Sequence, residues 1–248
     1  MKTSPVDTVL RPGPSGWEFW RIPNNADPVC ESVPSLKVLG SVAHLLLALP
    51  TRSLLAVPVW ISPQGDPNEL ADLELSSRHV LKKNAEAHGI PILEKDGRSL
   101  VLAVSSIDDE RASDYYSKAS TFEFPACLWD PDVEDVIVWR EWGELCFGFY
   151  RDKKCVYFAC SGELSIGVPF CGLITRTAMR LRSEGVILRM PAMLRLIGDF
   201  SFEDRSALRD ALKLDLEHTP VAPRPLLSGT YTNPVPPSAK MAMEKRTY

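Results

Sequence analysis

Histidine is scarce in this sequence, and its cysteines are scattered. Only four histidines occur (His44, His79, His88 and His218), and none stands at zinc-ligand spacing from a cysteine or from another histidine. Structural zinc needs closely spaced ligands, so a zinc site has no support here. The six cysteines (Cys30, Cys127, Cys146, Cys155, Cys160 and Cys171) contain no Cys-x-x-Cys pair, and four of them lie in apolar strand or helix contexts. They read as buried, reduced thiols of a reducing compartment, with any disulfide pairing left open. Long apolar runs are missing too. The best, Leu45–Val59, is broken by Pro50, Thr51, Arg52 and Pro58, well short of the roughly 20 apolar residues of a membrane helix. The first residues, MKTSPVDTV, carry one lysine and no apolar stretch, unlike a secretory leader. Basic charge is not in excess: 28 Lys and Arg stand against 32 Asp and Glu, a net charge of −4, which argues against a nucleic-acid partner.

Two catalytic signatures are also missing. No Gly-x-x-x-x-Gly-Lys-Ser/Thr phosphate loop occurs, and no Gly-x-Ser-x-Gly nucleophile elbow. Ser161-Gly162 offers half of the second pattern and reads as a turn that ends a strand. None of the histidines is placed beside a serine or cysteine in a way that suggests a triad.

What is present is the composition of a folded chain of 248 residues, 45% hydrophobic and 24% charged, enough for one large domain or two small ones. Its clearest segment is VIVWREWGELCFGFYRDKKCVYFACSG, from Val136 to Gly162. Apolar residues alternate in it, and the turns Trp142-Gly143-Glu144 and Asp152-Lys153-Lys154 are short. That combination predicts three antiparallel strands, Val136–Glu141, Leu145–Arg151 and Cys155–Cys160. A weaker version stands at the beginning: Val6–Leu10 and Gly16–Ile22 around Arg11-Pro12-Gly13-Pro14-Ser15, then Val29–Ser32. His44–Leu49 and Ser53–Ile61 read as strands, as do Ile90–Glu94 and Ser99–Ser105 around the turn Lys95-Asp96-Gly97-Arg98.

Helices are predicted over Asn68–His88, which Gly89 stops, with His79 and His88 exposed on it. A further helix is expected from Ser106 to about Ala119, where Asp108, Asp109 and Glu110 suit helix capping better than metal binding. Phe122–Leu128 reads as a strand and Trp129-Asp130-Pro131-Asp132 as a turn. Gly167–Glu184 is a helix whose Arg176, Arg180 and Arg182 form a solvated face or, functionally, a contact for an acidic partner. Met193–Ile197 is a strand, and Ser201–Leu212 a short helix opened by Ser201 and Asp204 in a capping-box arrangement. From His218 onward six prolines predict an extended tail.

Strand-strand-strand followed by helix and strand therefore occurs once from Val6 and again from Val136. This order resembles the actin-like ATPase superfamily, a mixed α/β, two-lobed, ribonuclease H-like fold, here degenerate. One branch is similar in HLLLALPTRSLLAVPVWIS (His44–Ser62), in VIVWREWGELCFGFY with the strand after it, and in MLRLIGDFSFEDRSALRDAL (Met193–Leu212). That branch comprises the cytoplasmic domain of the type II secretion L protein (GspL) and its type IV pilus relative PilM. The resemblance implies a first lobe over 1–128, a second over 129–217 and a proline-rich linker or tail over 218–248.

It also implies an inner-membrane assembly platform that docks a cytoplasmic secretion or pilus ATPase and other platform proteins, with a second copy of the chain as a further candidate partner. In that layout the domain lies on the cytoplasmic face and a membrane helix follows it, flanked here by Lys240, Lys245 and Arg246.

In an actin-like ATPase, small residues and an acid in the meander turns hold phosphate and Mg²⁺. Here Pro12 and Pro14 remove backbone donors from the first turn, which has no acid. Trp142 is bulky in the second, and Asp199 of Gly198-Asp199-Phe200 would repel phosphate in a third. The turns therefore predict no cofactor, no metal and no catalytic residue. The alternative is an actin-like ATPase or kinase relative with divergent phosphate turns.

Overall fold

The computed structural model describes residues 3–23, 27–34, 42, 44–79, 87–106, 119, 121–129, 135–218 and 230–232. The helix expected over Ser106–Ala119, with its acids Asp108, Asp109 and Glu110, falls almost wholly outside them, as does most of the turn after Trp129.

Two five-stranded sheets are built in the same order. In the first, β2 (Thr8–Pro12), β3 (Trp17–Arg21) and β4 (Val29–Val33) form an antiparallel meander. Strand β5 (Leu45–Ala48) then returns parallel to β2, and β9 (Thr121–Glu123) parallel to β5. In the second, β10 (Val136–Glu141), β11 (Glu144–Arg151) and β12 (Lys154–Cys160) form the meander. Strand β13 (Met193–Ile197) lies parallel to β10, and β14 (Asp215–His218) parallel to β13. Each sheet thus runs third-second-first-fourth-fifth. Short turns force the antiparallel pairs, whereas the parallel returns need long crossovers. In the second sheet the crossovers are helices, α2 (Val168–Ser183) before β13 and α3 (Phe202–Leu212) before β14. This is a mixed α/β arrangement in which one sheet order occurs twice, as the resemblance implies.

Between β5 and β9 the chain makes a separate three-stranded antiparallel sheet of β6 (Leu54–Ile61), β8 (Arg98–Ser106) and β7 (Ala87–Lys95). Helix α1 (Pro67–Ser77) packs on it. Alternation along β8 divides the two faces. Val101 and Ala103 pack in the small core that holds Ala71 and Leu75 of α1, while Leu100, Leu102 and Val104 face the main core. That main core is continuous from Val6 to Leu208 and takes in both five-stranded sheets. Further bonds tie the inserted sheet to the end of α2 and to β12: Trp60 Nε1 donates to Glu184 O at 3.0 Å, and Lys154 Nζ to Ile92 O at 2.7 Å.

Several sequence expectations need correction. Helix α1 ends at Ser77, about three turns before His88. His79 adopts φ 56°, a left-handed conformation that stops the helix, and His88 lies in strand β7. Gly89 is therefore no helix stop. It lets β7 approach α1, since a Cβ there would stand 2.4 Å from Pro67 O, and its N–H donates to Asn68 Oδ1 at 3.0 Å. The expected strand Phe122–Leu128 is split into β9 and a 3-10 turn at Pro125–Leu128, where Pro125 cannot donate to a sheet ladder. Within the proline-rich tail, Thr230–Thr232 (β15) pairs antiparallel with Thr3–Pro5 (β1).

Candidate functional site

The three turns at which an actin-like ATPase would hold phosphate converge on contacts among themselves. The β2–β3 turn is closed by Gly13 N–H donating to Gly16 O at 2.7 Å. Buried Arg11 pairs with Glu18 at 2.6 Å, and its guanidinium lies 4.9 Å from the Trp129 ring centre. A Cβ on Gly13 would stand 2.6 Å from Glu18 Cγ, so the side chain that neutralises Arg11 also fills the inside of the turn.

The β10–β11 turn has two central residues rather than three, since Glu141 pairs directly with Glu144. Trp142 and Gly143 have φ 49° and 82°, the left-handed pair that a type I′ hairpin requires. This turn is fastened to the first one. Trp142 N–H donates to Gly13 O at 2.7 Å, and the Trp142 and Trp17 rings meet edge to face with centres 5.4 Å apart. A backbone donor of this turn is spent on the opposite turn.

Glu141 carries the next link. It is buried, and its carboxylate accepts from Thr51 N–H at 2.8 Å, Thr51 Oγ1 at 2.6 Å and Trp139 Nε1 at 2.7 Å. Burial pushes its pKa up, opposed by those hydrogen bonds and by the charge of Arg11. The neighbouring Glu144 takes Arg52 Nη1 at 3.1 Å. The 3-10 turn Thr51–Ser53 after β5 is thereby held against the second meander.

The third turn follows β13. Gly198 has φ 94°, and His218 Nε2 donates to its carbonyl at 2.7 Å. Asp199 points to solvent, while Phe200 is buried with the Arg140 guanidinium 5.2 Å from its ring centre. Arg140 donates to Gly143 O at 3.1 Å and Leu164 O at 2.8 Å, and pairs with Asp204 at 3.2 Å. Asp204 also completes the capping box with Ser201, as its spacing predicts. One arginine so joins the second turn, the segment before α2 and the start of α3.

Thr51, Arg52, Arg140 and Glu144 were not singled out from the sequence. Their partners lie far off in the chain, about 90 residues in the case of Thr51 and Glu141. The one available signal was Glu141 itself, an acid on the strand face of Ile137 and Trp139, where it needs a partner. Ser161 Oγ donates to Leu145 O at 2.7 Å, a strand-ending bond with no histidine in it. Among the described residues no cluster of His, Cys, Asp and Glu could hold a metal ion.

The arginines of α2 lie elsewhere. Arg176 and Arg180 are exposed one turn apart, Arg180 5.1 Å from the Tyr157 ring centre, with exposed Met179 beside them. Arg182 is exposed too, but about 120° round the helix from Arg176.

No protein-family model matches the chain, and no curated protein matches it by sequence. Solved structures do match. The PilM-PilN type IV pilus biogenesis complex aligns with a TM-score of 0.55 at 13% identity, covering 86% of this chain and 88% of that one. The cytoplasmic domain of EpsL, an inner membrane component of the type II secretion system of Vibrio cholerae, aligns at 0.53 and 10% identity, covering 96% and 99%. The chain has the fold of these two proteins. The likeness runs over nearly the whole of both neighbours. At such identities it is the fold that is shared.

Proposed function

We propose that this chain is a non-enzymatic docking scaffold of a type IV pilus or type II secretion assembly, placed on the cytoplasmic face of the inner membrane. Support comes from the fold, shared with a pilus biogenesis protein in complex with PilN and with the cytoplasmic part of a secretion component. The observation that carries the non-enzymatic half is the Trp142 N–H bond to Gly13 O with Trp17 against Trp142, which joins the two turns that would otherwise face a phosphate. No helix among the described residues is long and apolar enough to cross a membrane, so an anchor would come from another segment or a partner. On this reading residues 1–128 and 129–217 act as two lobes, and 218–248 as the connection to the rest of the platform.

The partners are platform proteins of the membrane and a cytoplasmic motor ATPase. A stable contact of this class buries about 1,200–2,000 Å². The exposed Arg176 and Arg180, with Met179 between them and Arg182 at the flank, offer basic and apolar groups for an acidic surface. Arg176→Glu, Arg180→Glu and Arg182→Glu together are expected to lower capture of the purified motor ATPase at least tenfold, with an unchanged circular-dichroism spectrum and melting temperature. Undiminished capture by the folded triple variant removes this face from the proposal. Absence of any capture by the wild-type chain removes the motor as partner.

A further inference from the structure

Cys146 and Cys160 stand directly opposite each other on the antiparallel strands β11 and β12. On the other side of β11, Glu144 and Glu141 are the hydrogen-bonded closing pair of a two-residue hairpin, so Cys146, two residues on, bonds to Trp139 of β10 and its N–H and C=O point away from β12. Positions alternate along such a ladder, which puts the two cysteines at a non-hydrogen-bonded one. There Cα atoms are about 4.5 Å apart and side chains on the shared face are at their closest. The window for a disulfide begins at about 4.4 Å between Cα atoms.

Their exposures differ in a useful way. Cys146 is fully buried, whereas Cys160 is partly exposed and donates its S–H to Glu144 Oε2 at 3.1 Å. Glu144 is also the partner of Arg52, so the pair borders the contacts that hold the β10–β11 turn. No other described cysteine has a cysteine opposite it: Cys155 faces Tyr150, and Cys30 faces Trp20.

We infer that Cys146 and Cys160 form a reversible thiol–disulfide pair, with Cys160 as the entry thiol and Cys146 as the resolving one. A small disulfide such as oxidised glutathione is the co-reactant. Cys160 Sγ loses its proton to solvent and attacks one glutathione sulfur, which forms a mixed disulfide and releases one glutathione thiolate. Cys146 then loses its proton, and its sulfur attacks Cys160 Sγ and displaces the second. Two protein thiols are oxidised and one glutathione disulfide is reduced to two thiols. The product takes the thiol donor away from Glu144, so oxidation is felt at the turn that closes on Gly13.

The test exposes the full chain to oxidised glutathione under native conditions, alkylates free thiols in acid, and maps linkages by tandem mass spectrometry. The expected result is a Cys146–Cys160 crosslink that dithiothreitol removes. Cys146→Ala should trap glutathione on Cys160, and Cys160→Ser should leave Cys146 unmodified. The wild-type map alone decides the matter if a variant fails to fold. A wild-type chain that stops at glutathionylated Cys160, or that reacts only at Cys30 while Cys146 and Cys160 stay free, overturns the inference.

Discussion

At the scale of single residues, the centre of the molecule is organised by Glu141. Three donors converge on one buried carboxylate: Thr51 N–H, Thr51 Oγ1 and Trp139 Nε1. A glutamine in its place has one acceptor oxygen, so in either amide orientation its NH₂ faces Thr51 N–H or Trp139 Nε1–H. Leaving a buried donor unsatisfied costs about 1–3 kcal/mol, and Glu141→Gln should lower stability by that amount in urea denaturation. The pH dependence has a definite sign. The folded pKa is raised above the unfolded one, so this group's linkage favours the fold below the ordinary carboxylate range of about 4.3 and is lost as pH rises through the folded value. The stability gap between wild type and Glu141→Gln should therefore narrow as pH rises, and a widening gap contradicts the assignment. None of this was legible in the sequence beyond the acid on an apolar strand, because Thr51 is brought to it by tertiary folding.

At the scale of elements, what was legible followed local periodicity. The second meander, α2, β13 and the capping box of α3 fall where alternation, a glycine before the helix and Ser201 with Asp204 place them. The expected helix runs past the end of α1 because no glycine or proline stands between Pro67 and Gly89, whereas His79 turns left-handed at a position with no helix-breaking residue type. Gly89 was given the wrong task for a related reason. Its need is a close backbone approach, which has no local signature. Gly89→Ala would push a methyl to within 2.4 Å of Pro67 O, and backbone cannot yield as a flexible side chain can. Overpacking of this kind costs about 1–3 kcal/mol, and α1 with β7 should show it first, as faster amide exchange in Pro67–Ser77 than in α2. Equal exchange in both helices would show that β7 is not held by this approach.

At the scale of the whole molecule, the same five-strand order occurs twice, and the turns at the ends of the first strands of each copy meet. The repetition was readable from two meanders, each followed by a parallel return. The separate sheet of β6, β7 and β8 was not, since its alternation is that of any strand and nothing local says which sheet a strand will join. The resemblance to actin-like ATPases implies phosphate-binding turns, and the contacts made here support the proposed scaffold instead: Trp142 and Trp17 join the turns, Arg140 pairs with Asp204 of α3, and Glu141 is bonded to Thr51. The most direct test of this account is isothermal titration of the purified chain with Mg-ATP, read beside ATP turnover under the same conditions. The closed turns predict no saturable heat at millimolar nucleotide and no hydrolysis above buffer. Saturable, Mg-dependent binding that Trp142→Gly strengthens, or turnover by the wild-type chain, would contradict it.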